Sequence, residues 1–245
     1  MEENITTHDN VGININKNNN QKQIAGAIIL AGVLIAGAIL LKNSEGVARL
    51  QTTATDQNKE MTSLLKPIST NEHILGNPKA KIMVVEYSDT ECPFCKMFHS
   101  TMHTVVEKNN GDVAWVYRHY PIPELHQKAF REAEATECSW EQGGNDIFWR
   151  YTDEIYVRTQ SNDTLNPAEL PKIAGDIGLD VLAFNTCLKS GKYKTKVQND
   201  IDDGQKLGVR GTPSSFIVKN GKVVDTIAGA QPLEVVNQKI ENVLK

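Results

Sequence analysis

Cys92 and Cys95 flank Pro93-Phe94, a few residues after the apolar run Ile82-Met83-Val84-Val85-Glu86-Tyr87. At positions i and i+3 of a helix start, two cysteine sulfurs share one face, within reach of a disulfide. The helix end carries partial positive charge and free N–H groups, which favour the thiolate, the reactive form. Cys92 is therefore expected to be an exposed nucleophile of low pKa. Cys95, one turn in, is expected to be the shielded resolving thiol. Such a pair exchanges disulfides with its own redox-active bond and needs no other cofactor. His99 and His103 extend the series to C-x2-C-x3-H-x3-H. On one continuous helix Cys92 and His103 lie about 16 Å apart along the axis. A tetrahedral zinc has ligand bonds of only about 2.0–2.3 Å, so the four cannot share an ion and no metal is expected. The two histidines are read as exposed or partly packed helix residues.

The elements that must position the pair follow from the flanking pattern. The run 82–87 is a strand buried on both faces, and Pro93 suits the first turn of a helix reaching about Lys108. Glu86 shares a strand face with Ile82 and Val84. A buried carboxylate there is costly unless it has a purpose. Six residues before Cys92, it is placed to accept a proton from Cys95 during disulfide exchange, its pKa raised by burial. Val113 to Arg118 is a second strand. From about 124 to 207 the pattern is helical, with breaks at Gly143-Gly144, near Pro167, at Gly178 and at Gly191. Gly211-Thr212-Pro213 leads into a strand over 215–218, Asn220-Gly221 signals a hairpin, Val223 to Thr226 is its partner, and Pro232 to Leu244 is a helix. From local sequence alone the Thr212–Pro213 bond reads as trans, since only about 5–6% of X–Pro bonds are cis.

The chain has 245 residues, 40% hydrophobic and 23% charged, with a formal net charge of -4. That balance offers no electrostatic footprint for nucleic acid. Residues 1–23 are polar, with seven asparagines, and read as a disordered tail. Ile24 to Leu41 gives 18 residues without a polar side chain. As a helix it spans about 27 Å, close to a bilayer core of about 30 Å, so it reads as a single-pass membrane anchor. Lysines flank it on both sides, so the positive-inside rule does not orient it. Residues 42–72 read as a tether with at most a short frayed helix, and the folded domain is expected over 73–245.

Strand, Cys-Pro-Phe-Cys at a helix start, helical insertion, Gly-Thr-Pro, hairpin and final helix together resemble the DsbA-like branch of the thioredoxin superfamily, over about 73–245. Glu86-Tyr87-Ser88-Asp89-Thr90-Glu91-Cys92 matches its acid-six-before-cysteine pattern. The resemblance implies an α/β thioredoxin fold with an inserted helical subdomain, here preceded by one transmembrane helix. It implies that Pro213 is cis and packs beside the Cys92–Cys95 disulfide, and that the backbone at Thr212 pairs with an extended substrate chain. Gly211 and Phe94 are assigned to substrate binding with Thr212. Phe94 departs from the best-known oxidase, which has His there; the apolar ring offers no donor to the thiolate. The resemblance further favours a structural Cys138–Cys187 bridge. Such a bridge needs an oxidising compartment, which puts the N-terminus in the cytoplasm and the domain outside. The implied activity is donation of disulfides to reduced secreted proteins, with a membrane partner for recycling. A reductase or isomerase using the same dithiol, and an anchored metal-binding or scaffold module, are the alternatives.

Overall fold

The run Ile82–Ser88 has no exposed residue: strands pair along both of its edges, and apolar clusters cover both of its faces. The computed structural model describes residues 55–69 and 71–245. Its elements are α1 (55–64), β1 (His73–Gly76), β2 (Ile82–Ser88), α2 (Pro93–Lys108), β3 (Val113–His119), α3 (Ala129–Arg158), α4 (Glu169–Asp176), α5 (Val181–Ser190), α6 (Lys194–Lys206), β4 (Ser214–Lys219), β5 (Lys222–Ala228) and α7 (Leu233–Leu244). The sheet order is β1-β3-β2-β4-β5. Only β2 and β3 run parallel, joined by α2 as the crossover; the other neighbours are antiparallel.

Strand alternation divides the core. Ile82, Val84, Trp115 and Tyr117 face α2 and α7. Met83, Val85, Tyr87, Ala114 and Val116 face the other way, onto Val197 and Ile201 of α6. The insertion has its own core, with Tyr151, Ile155, Ile173 and Phe184 at its centre. The expected break at Gly143-Gly144 is a kink within α3, where Gly144 has φ 67°. Asn220 and Gly221, at φ 52° and 73°, make the two-residue turn between β4 and β5, as primed turns require.

Two elements depart from the sequence expectation. The tether does not extend to residue 72: residues 55–64 are helical and belong to the folded unit that begins at Thr55. The Asn58 side chain donates to the Val224 carbonyl and the Val223 N–H donates to Thr62 Oγ1, both at 2.9 Å, so α1 covers the outer edge of β5. Covering an edge strand removes a template for unwanted pairing. Residues 65–72 are held as well. Arg118, fully buried, donates to the Lys66 carbonyl and to the Glu72 carboxylate. The second departure is β1, which was not anticipated; it pairs with β3 at the opposite edge.

The polar tail 1–23, the apolar span 24–41 and the first part of the tether lie outside the described residues. Among the described residues no helix is long and apolar enough to cross a membrane.

Candidate active site

The β2–α2 connection places Cys92 at the N-cap of α2 with Pro93 in its first turn, and no acidic residue occupies that turn to neutralise the helix end. Both cysteines are free thiols. Cys92 is less open than expected, at 5% exposure, and Cys95 is fully enclosed. The two are driven apart in acidity. Hydrogen bonding from the Cys95 thiol is the largest influence on Cys92 and, with the backbone N–H groups of Cys95 and Phe94 and the Thr212 side chain, holds its pKa down at about 6 against burial. Burial pushes Cys95 well up, and the charges of Cys92 and Glu86 add to this. The Asp89 N–H points at Cys95 Sγ, 3.5 Å away.

Glu86 lies on the α2 side of the sheet, fully buried, with no hydrogen-bond partner for either carboxylate oxygen. Burial pushes its pKa up to about 8, while nearby Ser88 and Trp115 pull it part of the way back. It feels the charge of Cys92, and Cys95 feels its own.

The Thr212–Pro213 bond is cis, so the trans reading from local sequence gives way to the one the resemblance implies. The loop lies against the nucleophile: the Cys92 thiol donates to the Thr212 carbonyl at 3.4 Å. The Gly211 carbonyl accepts from Ser214 Oγ at 2.7 Å, which closes the turn into β4. Phe94 is 57% exposed, as is Met97, one turn on along the same face of α2. An apolar ledge therefore flanks Cys92. Cys138 and Cys187 are joined in a disulfide between α3 and α5. His99, expected to be exposed or partly packed, is almost wholly buried between Trp115 and Tyr156, whereas His103 is part-exposed.

Several groups at the site were not singled out from sequence. Asp89 ties two loops together: one carboxylate oxygen accepts from the Glu91 N–H, the other from the Ile122 N–H and His126 Nδ1, each at 2.9 Å. His126 feels the charge of Cys92. Behind Cys95, Ser88 Oγ and the hydroxyls of Tyr117 and Tyr156 form a chain with steps of 3.2 and 3.3 Å. Glu132 is also held up, to about 8, by burial and by neighbouring Glu91 and Asp89. Asp89 and Glu91, beside the cysteines in the chain, carried a positional signal. Tyr156, 61 residues past Cys95 in the numbering, carried none.

A family model described as Thioredoxin matches residues 69–240, well over half of the chain. The chain is 27% identical in sequence to Pseudomonas aeruginosa DsbA2, whose crystal structure superposes with a TM-score of 0.63 over 73% of this chain and 97% of that one. Oxidised BdbD from Bacillus subtilis, at 21% identity and a TM-score of 0.63, covers 73% and 95% and shares the fold. In sequence, the chain is 29% identical over 207 residues to "Probable disulfide bond formation protein D" of Bacillus anthracis, covering 79% of this chain and 88% of that protein. It is also 29% identical over 194 residues to the Na(+)/H(+) antiporter NhaA 1 of Mycolicibacterium gilvum. There it spans 78% of this chain but only 30% of the antiporter, so the antiporter's named activity does not carry over. With the family match over residues 69–240 and a polarised dithiol beside a cis-proline loop in agreement, the chain belongs to the thioredoxin superfamily and resembles its DsbA-like members.

Proposed function

We propose that the protein donates disulfides to reduced, extended substrate chains outside the cytoplasm, held at the membrane by residues 24–41. The observation that carries the direction is the split between the two thiols. At pH 7 a pKa of about 6 leaves Cys92 some tenfold more thiolate than thiol. This stabilises the reduced pair by about 1.4 kcal/mol relative to a thiol titrating near 9, equivalent to about 30 mV. A reduced form so stabilised makes the disulfide the better oxidant.

In the donor direction a substrate thiolate attacks Cys92 Sγ of the oxidised pair. The substrate–Cys92 bond forms, the Cys92–Cys95 bond breaks, and the electron pair goes to Cys95. Buried Cys95 is a poor thiolate and takes a proton, which Glu86 holds at neutral pH and supplies. A second substrate thiolate then attacks the substrate sulfur of the mixed disulfide. Cys92 leaves as the stable thiolate, the substrate is oxidised by two electrons and the enzyme is reduced. No bound cofactor is needed. The Thr212 backbone and Gly211 pair with the extended chain, and Phe94 with Met97 supplies apolar contact that suits unfolded segments. A membrane redox partner removes the two electrons. The Cys138–Cys187 bridge supports an oxidising compartment for the domain, and with residues 24–41 as the anchor the N-terminus would then face the cytoplasm.

The test mixes oxidised protein with one equivalent of a reduced dithiol peptide. The expected products are oxidised peptide and a reduced Cys92–Cys95 pair, with no exchange by Cys92→Ala; Cys95→Ala, mixed instead with the disulfide form of the peptide, should trap a Cys92–peptide mixed disulfide as one peptide sulfur leaves as thiolate. A peptide that stays reduced, while the reduced protein opens disulfide peptides, would reverse the direction to a reductase.

A further inference from the structure

His99 and His103 stand one turn apart on the face of α2 that meets α3, and Asp153 of α3 faces both. His99 Nε2 and His103 Nε2 are 3.2 Å apart, and they lie 2.6 and 3.0 Å from the same oxygen, Asp153 Oδ1. We infer that these three atoms form a binding site for a divalent transition-metal ion, with zinc the best fit. Two imidazoles and a carboxylate suit zinc and its neighbours rather than magnesium or calcium. Around a tetrahedral zinc with bonds of about 2.0–2.2 Å, ligand atoms sit about 3.3 Å apart. From edges of 2.6, 3.0 and 3.2 Å the triad reaches that spacing by opening about 0.7 Å between His99 and Asp153 and about 0.3 Å or less along the other two. One cation then satisfies all three lone pairs at once.

The rings are already held for this. His99 packs 4.4 Å from the Tyr156 ring and 5.1 Å from Trp115, and His103 lies 5.7 Å from Trp115. The triad lines a surface cleft of about 620 Å³, so the ion has an entry path and the rest of its coordination sphere faces solvent. A second group of two histidines and a carboxylate, His73, His119 and Glu137, differs in its access and in its charge. It is fully enclosed, and Lys196 Nζ already stands 3.5 Å from the shared Glu137 oxygen. His99 Nδ1 is buried without a hydrogen-bond acceptor, so this ring lacks the outer partner that strengthens imidazole ligands. The site is accordingly one of moderate affinity. Because its ligands come from α2 and α3, the ion would fasten the active-site helix to the insertion.

The experiment is calorimetric titration of Zn²⁺ into the full-length protein with Cys92–Cys95 oxidised, so that neither thiolate competes. The expected result is one equivalent bound, weakened more than tenfold in both His103→Ala and Asp153→Asn. His103 is part-exposed and Asp153 lies on the helix surface, so both variants should fold; retained exchange with a dithiol peptide checks this. A cobalt(II) titration of the unsubstituted protein needs no variant and should give visible bands of nitrogen and oxygen ligation. No binding of either ion by the parent protein, or unchanged affinity in both variants, overturns the proposal; the second result would send the ion to another site, such as the His73 group.

Discussion

Cys92 and Cys95 are separated by two residues, yet opposite environments act on them. Cys92 caps a helix whose first N–H groups and neighbouring thiol stabilise negative charge. Cys95 has burial and the charges of Cys92 and Glu86 against it. Alkylation of the reduced protein should therefore modify Cys92 first, at a rate that climbs through about pH 6 and levels off by neutrality. A rate still rising at pH 8 would contradict the assignment. Glu86 has the opposite sign. Its folded pKa, about 8, lies above the ordinary 4.5, so the native state binds the extra proton and stability falls as pH rises between those values. At pH 7 the cost is on the order of 3 kcal/mol. Glu86→Gln should recover part of that at pH 7 to 8 and nothing below pH 4.5, while slowing exchange. Denaturant melts at the two pH values measure the first effect and peptide oxidation rates the second; equal stability change at both would show that the carboxyl is not buried and neutral.

Arg118 shows what an element's own sequence hides. It ends the apolar run of β3, where a charged residue ordinarily marks a solvent-facing end. Here it is fully buried and bonded to Glu72, Asp203, Tyr87 and the Lys66 carbonyl. Removing one partner of a buried ionic network leaves the others uncompensated, so Arg118→Ala should cost about 3–5 kcal/mol in denaturant melts. A loss below 1 kcal/mol would mean that water reaches the network. The partners lie 31 to 85 residues away in sequence, so no local pattern announces them. The same reason hid β1, whose apolar content is only Ile74 and Leu75 and whose burial comes from pairing with β3. It hid α1 too, whose polar Asn58 and Thr62 act on β5 from 161 or more residues away. By contrast β2, α2, the Asn220-Gly221 hairpin and α7 were legible because each is specified by period, proline or turn chemistry within a few residues. The cysteine pair and Glu86 belonged to that legible class. The cis bond at Pro213 and the Cys138–Cys187 pairing came only from resemblance, since local sequence favours trans and spacing does not choose disulfide partners.

At the scale of the whole molecule, the insertion keeps a core of its own and is closed by a disulfide that spans 49 residues of chain. In the chain-entropy model such a closure contributes about 4 kcal/mol. A Cys138→Ala, Cys187→Ala double variant should lose stability on that order yet keep the Cys92–Cys95 potential, because the bridge lies in a core separate from the active pair. A shifted potential would show that the insertion tunes the site. The direction of electron flow is set by the reduction potential of Cys92–Cys95. The chain from residue 55 onward, equilibrated in glutathione buffers and quantified by alkylation, gives that number. The stabilised Cys92 thiolate predicts a potential more positive than about -270 mV, displaced toward the roughly -120 mV of a dedicated disulfide donor. A value at or below about -270 mV would reverse that direction and make the protein a reductant.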